Sequence, residues 1–194
     1  MLSLRKIFSI ICRILLYNII EHFQLRNYIM KINVEIIRAC QDWKNQKFIN
    51  KLLVKKVVGA ILSKYKNFKG VAEFELAILL TNNNEMLNLN SQFRGKAKAT
   101  NVLSFPDIEL DFRHLLEFTP NVHYMYLGDI AFGYEIIQSE AISQNKAFGD
   151  YFIHLLVHSI LHLLGFDHQD NEEADIMENL EVEILKSFAI ASPY

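Results

Sequence analysis

Ile32, Val34 and Ile36 alternate with Asn33 and Glu35, the two-residue period of a strand with one buried face. From Lys47 to Lys66 the period lengthens. Phe48, Leu52, Val54, Val58, Ile61 and Leu62 build an apolar stripe that predicts a helix, while Lys47, Lys51 and Lys55 recur every four residues on the opposite face. Alternation returns where Phe74, Leu76, Ile78 and Leu80 interleave with Glu73, Glu75 and Ala77, a second strand. A short helix over Asn82–Phe93 follows, capped by one of the asparagines at its start. Next come a basic loop, Arg94–Thr100, a brief strand, Val102–Phe105, stopped by Pro106, and a variable loop, Asp107–His123. Tyr124–Phe132 reads as a strand. Helices are predicted at Tyr134–Asn145, at Phe148–Leu164 with Gly165 ending it, and at Glu172–Phe188, opened by Asn171 and an acidic first turn. The order β-α-β-α-β-β-α-α-α predicts a small mixed β-sheet covered by helices, an α+β (mixed α/β) architecture with residues 30–194 as a single domain.

Residues 1–29 break the pattern. Arg5 and Lys6 precede an apolar stretch, Ile7–Ile20, that Arg13 and Asn18 interrupt. It is shorter than the about 20 apolar residues a membrane-spanning helix needs. It also lacks the small-x-small cleavage site of a signal peptide. An ordinary strand pattern begins directly after Met30, so residues 1–29 read as an N-terminal extension from a start assigned too far upstream. Mass spectrometry of the native protein is then expected to find an N-terminus near Met30, and peptides from residues 5–26 would refute that reading. No stable membrane association and a cytoplasmic location are expected.

Composition adds little until the charge is divided along the chain. The protein has 194 residues, 51% hydrophobic and 22% charged, with three prolines and seven glycines, so it is globular and leaves little room for long disordered linkers. Cys12 and Cys40 form no CxxC pair and read as reduced intracellular thiols. The net charge of −2 hides an asymmetry: residues 1–70 hold 14 Lys/Arg against 3 Asp/Glu, and residues 71–194 hold 6 against 19. A basic half can attract a polyanion, although a solvated lysine face gives the same count and is what charge alone favours.

Chemistry concentrates in one segment. Between His154 and His168 stand four of the seven histidines. His158 and His162 are one turn apart on a predicted helix, which stacks them on one face within reach of a single ion. After the Gly165 break the chain can bring His168 back toward the pair. One histidine on an apolar helix is usually a core residue, and two at this spacing arise by chance. Two followed by a glycine break and a third favour a metal site. His154 is not needed to complete it and reads as a second-shell or packing residue. Three imidazoles leave a fourth tetrahedral position open, where zinc usually holds a water of pKa about 7. Imidazole also suits nickel, copper or iron. With no carboxylate ligand the ion keeps its full charge, which favours an anionic substrate such as a phosphodiester. Zinc proteases carry Glu directly after the first histidine as general base. Here Ser159 stands there, so a peptidase is disfavoured.

The segment His158-Ser-Ile-Leu-His162-Leu-Leu-Gly165-Phe-Asp167-His168 resembles the HGxLHLxGYDH motif of the YbeY family, bacterial zinc-dependent endoribonucleases and rRNA maturation factors. Two further stretches are similar to that family: Arg94-Gly-Lys96-Ala-Lys98-Ala-Thr100-Asn-Val-Leu-Ser-Phe-Pro106, and Leu127-Gly-Asp-Ile130. The resemblance spans about Met30 to Tyr194. Ser159 replaces a usual glycine, Phe166 a usual tyrosine and Ala99 a frequent proline, and Asn101 stands where Asp is common. The glycine change bears on packing near the metal.

The resemblance implies that His158, His162 and His168 hold one Zn2+ and that Arg94 faces the cleft as the catalytic cation, clamping phosphate oxygens and stabilising charge in the transition state. Lys96 and Lys98 would guide the RNA backbone, or serve loop solubility alone. Asp167 would orient an imidazole or cap its turn. The implied substrate is single-stranded rRNA, specifically the 3′ end of 16S rRNA, with the small ribosomal subunit or its assembly factors as partner and a part in ribosome quality control. The alternatives are a metal-binding ribosome-assembly factor without catalysis, to which a fourth protein ligand would point, and, less favoured, a zinc peptidase.

Overall fold

The computed structural model describes residues 30–115, 117–118, 120–168 and 170–194, apart from the side chain of Lys69. The expectations for residues 1–29 fall outside these. Four strands, β1 (Lys31–Arg38), β2 (Glu73–Thr81), β3 (Val102–Pro106) and β4 (Tyr124–Gly133), form one sheet in the order β1-β2-β4-β3. β1, β2 and β4 run parallel and β3 pairs antiparallel with β4. Five helices are described: α1 (Lys51–Leu62), α2 (Asn83–Arg94), α3 (Tyr134–Ser143), α4 (Phe148–Leu163) and α5 (Asn171–Ser187). The α+β class and the predicted element order both hold.

The sheet is covered unequally. On one face Phe74, Leu76, Ile78 and Leu80 of β2 and Ile130 and Phe132 of β4 join the main core with α1, α4 and part of α5. On the other, Leu103 and Ala131 meet Met86 of α2 in a small second cluster. Alternating side chains along β4 serve both clusters, as a pleated strand requires. α4 is the central helix. Phe152, Leu155, Leu156, Val157, Ile160, Leu161 and Leu163 are all buried, each worth about 1.5–3 kcal/mol of transfer free energy. Its half-buried His154, His158 and His162 form a polar stripe along an otherwise apolar helix.

Several boundaries differ from the sequence reading. The first helix starts at Lys51, not Lys47, because the Asn50 side chain caps it, accepting from the backbone N–H of Leu52 at 3.0 Å and of Leu53 at 3.1 Å. Lys47 therefore lies outside the helix, and the lysine stripe shrinks to Lys51 and Lys55. The helix also stops at Leu62, and Lys66–Gly70 is a separate 3-10 turn. An unpredicted 3-10 turn, Gln41–Asn45, buries Trp43 completely, and its indole N–H donates to the Thr81 carbonyl at 2.8 Å. The last helix is capped by Asp170, which accepts from Glu173 N–H at 2.9 Å, with Asn171 its first residue.

The segment read as a variable loop is loop, with one 3-10 turn at Phe112–His114 and a few packed anchors. Asn67 donates to the carbonyls of Leu115 and Phe118, Leu115 is 1% exposed, and Phe112 stacks on Phe166 at 5.1 Å. Phe112, whose backbone N–H also donates to the Gly165 carbonyl at 3.3 Å, thus clamps the loop onto the turn after α4, and Asn67 holds its Leu115 and Phe118 end against the Lys66–Gly70 turn. Gly165 makes the contact feasible. Its φ is +85°, and a Cβ there would sit 2.1 Å from the Leu110 carbonyl oxygen.

Candidate metal centre

The imidazole of His158 points one nitrogen into the fold and the other outward. Its Nδ1 lies 2.8 Å from Oε1 of Glu181, a fully buried residue of α5. A carboxylate only accepts, so Nδ1 carries the proton and Nε2 keeps its lone pair. His162 is arranged alike: its Nδ1 donates to the Phe166 carbonyl at 2.9 Å, freeing Nε2. The two Nε2 atoms then face each other at 3.0 Å. Two lone pairs at that distance repel, and a cation between them removes the repulsion. His168, exposed beyond Gly165, brings its ring centroid within 5.5 Å of His158 and 5.2 Å of His162. One nitrogen from each of the three rings falls within 4.8 Å of the others. Tetrahedral zinc with bonds of about 2.0–2.1 Å would set such nitrogens about 3.3 Å apart. The donor set thus fits a metal ion, and a modest movement of His168 would complete it. Among the described residues this cluster contains three side chains.

Electrostatics favour the same protonation states. Burial above all pushes His162 down to about 4, so it is neutral and able to ligate near pH 7. Burial pushes the Glu181 carboxyl up, but hydrogen bonds from His154, His158 and Tyr194 outweigh it, leaving it at about 2. His154 donates through Nε2 to Oε2 of Glu181 at 2.9 Å. The structure places it behind the cluster, against the same carboxylate that orients His158.

Arg94 is the last residue of α2. Gly95, in the left-handed region at φ +65°, ends the helix there. Arg94 lines a cleft of about 540 Å³ with His162, His168 and Asp167, walled by Ile108, Glu109 and Leu110 of the packed loop and by Ser104 of β3. Lys96 and Lys98 fall elsewhere. They line a neighbouring polar pocket with Asn90, Asn101 and Glu140, and the loop that carries them is tied down by buried Asn90, whose amide donates to the Lys98 carbonyl at 2.6 Å. Asp167 accepts from the backbone N–H of His168 at 2.9 Å within its turn.

Two of the departures from the motif have local explanations. Ser159 is fully buried and donates to the Leu155 carbonyl at 2.7 Å, so its hydroxyl turns into the helix rather than toward the cluster. Asn101 donates to Glu140 at 2.9 Å, a bond that an ionised Asp could not make. Sequence reasoning missed Glu181. A signal was present: it shares the apolar stripe of α5 with Met177, Ile184 and Leu185, where a lone carboxylate needs a buried partner.

Fold and site together define a small α+β protein whose central helix and following turn gather three imidazoles able to hold a metal ion. A family model described as Endoribonuclease YbeY matches residues 39–189. The Endoribonuclease YbeY of Francisella tularensis subsp. novicida (strain U112) is 38% identical over 124 residues, which cover 64% of this chain and 74% of that protein. The solution structure of a Thermotoga maritima protein aligns with a TM-score of 0.47 at 22% identity, covering 80% of this chain and 91% of that one. The chain belongs to the YbeY family. Among the described residues, no helix is long and apolar enough to cross a membrane.

Proposed function

We propose that this chain is a zinc-dependent endoribonuclease that cleaves single-stranded rRNA in the cytoplasm, maturing the 3′ end of 16S rRNA and serving ribosome quality control. One observation carries the proposal. Ring nitrogens of His158, His162 and His168 lie within 4.8 Å of one another, beside a cleft that Arg94 also lines. Family membership supports RNA as the substrate class.

In this reading His158 and His162 hold the ion through Nε2, joined by a ring nitrogen of His168. Bound zinc supplies Lewis acidity at a phosphodiester oxygen and acidifies water near neutral pH. The Arg94 guanidinium, carried at the end of α2, donates two hydrogen bonds to phosphate oxygens and stabilises the charge that grows on them. Lys96 and Lys98 attract the RNA backbone as it leaves the cleft. His154 and Asp167 act behind the ligands, the first sharing the carboxylate that orients His158, the second shaping the turn that presents His168. Glu109, exposed on the cleft wall, keeps a polar rim there.

Metal analysis and cleavage of a single-stranded RNA, on wild type and His158→Ala, test the reading together. Wild type is expected to bind one zinc per chain and cut, and the variant to do neither. Zinc bound without RNA cleavage would favour a non-catalytic assembly factor, and hydrolysis of casein in place of RNA would favour a peptidase. An internal 2′-deoxy nucleotide then identifies the nucleophile: full cleavage at that position excludes attack by the neighbouring 2′-hydroxyl.

A further inference from the structure

Beyond α5 the chain doubles back. Ala189 adopts φ +59°, Ile190 N–H bonds to the Leu185 carbonyl at 3.1 Å, and the Lys146 ammonium donates to the Pro193 carbonyl at 3.2 Å. This return places Tyr194 behind the histidine cluster. Its hydroxyl donates to Oε2 of Glu181 at 2.7 Å, and its ring stands edge-on to His154 with centroids 5.9 Å apart. Glu181 thus accepts from Tyr194 and His154 on Oε2 and from His158 on Oε1, and the carboxylate is 0% exposed. A buried carboxylate with donors on both oxygens cannot rotate about its terminal torsion without breaking a bond. Only one of those three donors, the Tyr194 hydroxyl, comes from outside α4.

We propose that Tyr194 is a positioning residue for the metal centre: by anchoring Oε2 of Glu181 it holds Oε1 on Nδ1 of His158, which fixes the tautomer and ring plane that turn Nε2 toward the ion. The proposal rests on the three-histidine cluster being a zinc site. It assigns a role outside that cluster, to a side chain that reaches neither metal nor RNA. The tail matters to the site through one oxygen atom, and the packing of Phe188 and Ile190 on the core secures the fold around it independently.

The distinguishing variant is Tyr194→Phe, which removes the hydroxyl and keeps the ring. Outer-shell partners of metal ligands typically carry a 10–100-fold effect on metal affinity. Tyr194 acts one bond further out, so zinc affinity measured by chelator competition is expected to fall about 5–10-fold. Glu181→Gln, which leaves one oxygen to accept from three donors, is expected to lose about 10–100-fold. Two readouts separate positioning from a general structural role. The melting temperature of the metal-free Phe variant is expected to fall by only a few degrees, the cost of one hydrogen bond to a charged acceptor. Long-range 1H–15N correlation spectra of the metal-free proteins are expected to show His158 as a single Nδ1–H tautomer in wild type and as a mixture in the Phe variant. Wild-type zinc affinity and an unchanged His158 tautomer in Tyr194→Phe would overturn the proposal and leave the zinc site standing. An affinity loss with the His158 tautomer unchanged would overturn it too. Failure of wild type itself to bind zinc would remove the metal reading on which the proposal rests.

Discussion

The candidate metal centre has two unlike walls. His158 and His162 project from α4, which is buried on most sides, and each has its inner nitrogen tied to a fixed acceptor, Glu181 or the Phe166 carbonyl. Across the cleft stand Arg94, exposed at the end of α2, and His168, exposed in the turn after Gly165. One wall is set by the core before any ligand arrives. The other can still adjust, as a cleft that must admit a polymer requires. Affinity for the ion should therefore depend on the two ligands of the buried wall together with His168, and catalysis on Arg94 as well.

That contrast can be broken or sharpened by experiment. His158→Ala removes a fixed ligand and is expected to weaken zinc binding by well over about 100-fold, beyond the range for outer-shell partners, with RNA cleavage lost. Metal content after dialysis checks this. Gly165→Ala acts on the joint between the walls. The left-handed φ and a Cβ driven against the Leu110 carbonyl should cost about 3 kcal/mol or more. The midpoint of denaturant unfolding reads it, and an unchanged midpoint would mean that the packed loop is not clamped at Gly165. Arg94→Ala touches only the open wall. It should retain zinc and the wild-type melting temperature while cleavage falls about 100-fold, and normal cleavage would remove Arg94 from the mechanism.

Acid titrates the buried wall. His162 takes a proton near 6.5 when unfolded and only near 4 in the fold, so below 6.5 protons favour the unfolded chain. Stability of the metal-free protein should be intact above pH 6.5 and decline toward pH 4, by about 2 kcal/mol after allowance for partial exposure. Glu181, low in the fold, adds a second loss that begins below its ordinary value of 4.5 and ends near 2. Urea unfolding across this pH range checks both windows, and a flat profile between 6.5 and 4 would contradict the buried neutral state of His162. The smallest effect is expected of Lys98→Ala, about two- to threefold in RNA affinity at low salt and with a shallower salt dependence.

The sequence made some of this legible and hid the rest for identifiable reasons. Alternation in β1 and β2 and the long apolar period of α4 reported burial directly, and these strands and the central helix lie where those patterns predicted. The start of α1 was misplaced because Phe48 extended the apolar stripe, while the Asn50 cap interrupts the helix that the stripe implied. Residues 107–123 carry no periodicity, so their packing through Phe112 and Leu115 was invisible. The spacing of His158, His162 and His168 was readable because two are neighbours on one helix and the third follows a glycine break. Lys96 and Lys98 sit beside Arg94 in sequence, yet the chain turns at Gly95 and sends them into a different pocket.

By itself, then, the sequence determined the α+β element order, the central helix and the identity of the three imidazoles, since these depend on period and spacing within one stretch of chain. Only the tertiary structure decided which nitrogen of His158 faces the cleft. Its partner is Glu181, 23 residues further along the chain, and the same carboxylate accepts from Tyr194, 36 residues beyond His158. Local pattern carries no information on such partners: a hydrogen bond across the core depends on where α5 and the tail after it pack, not on what lies beside the histidines in the chain.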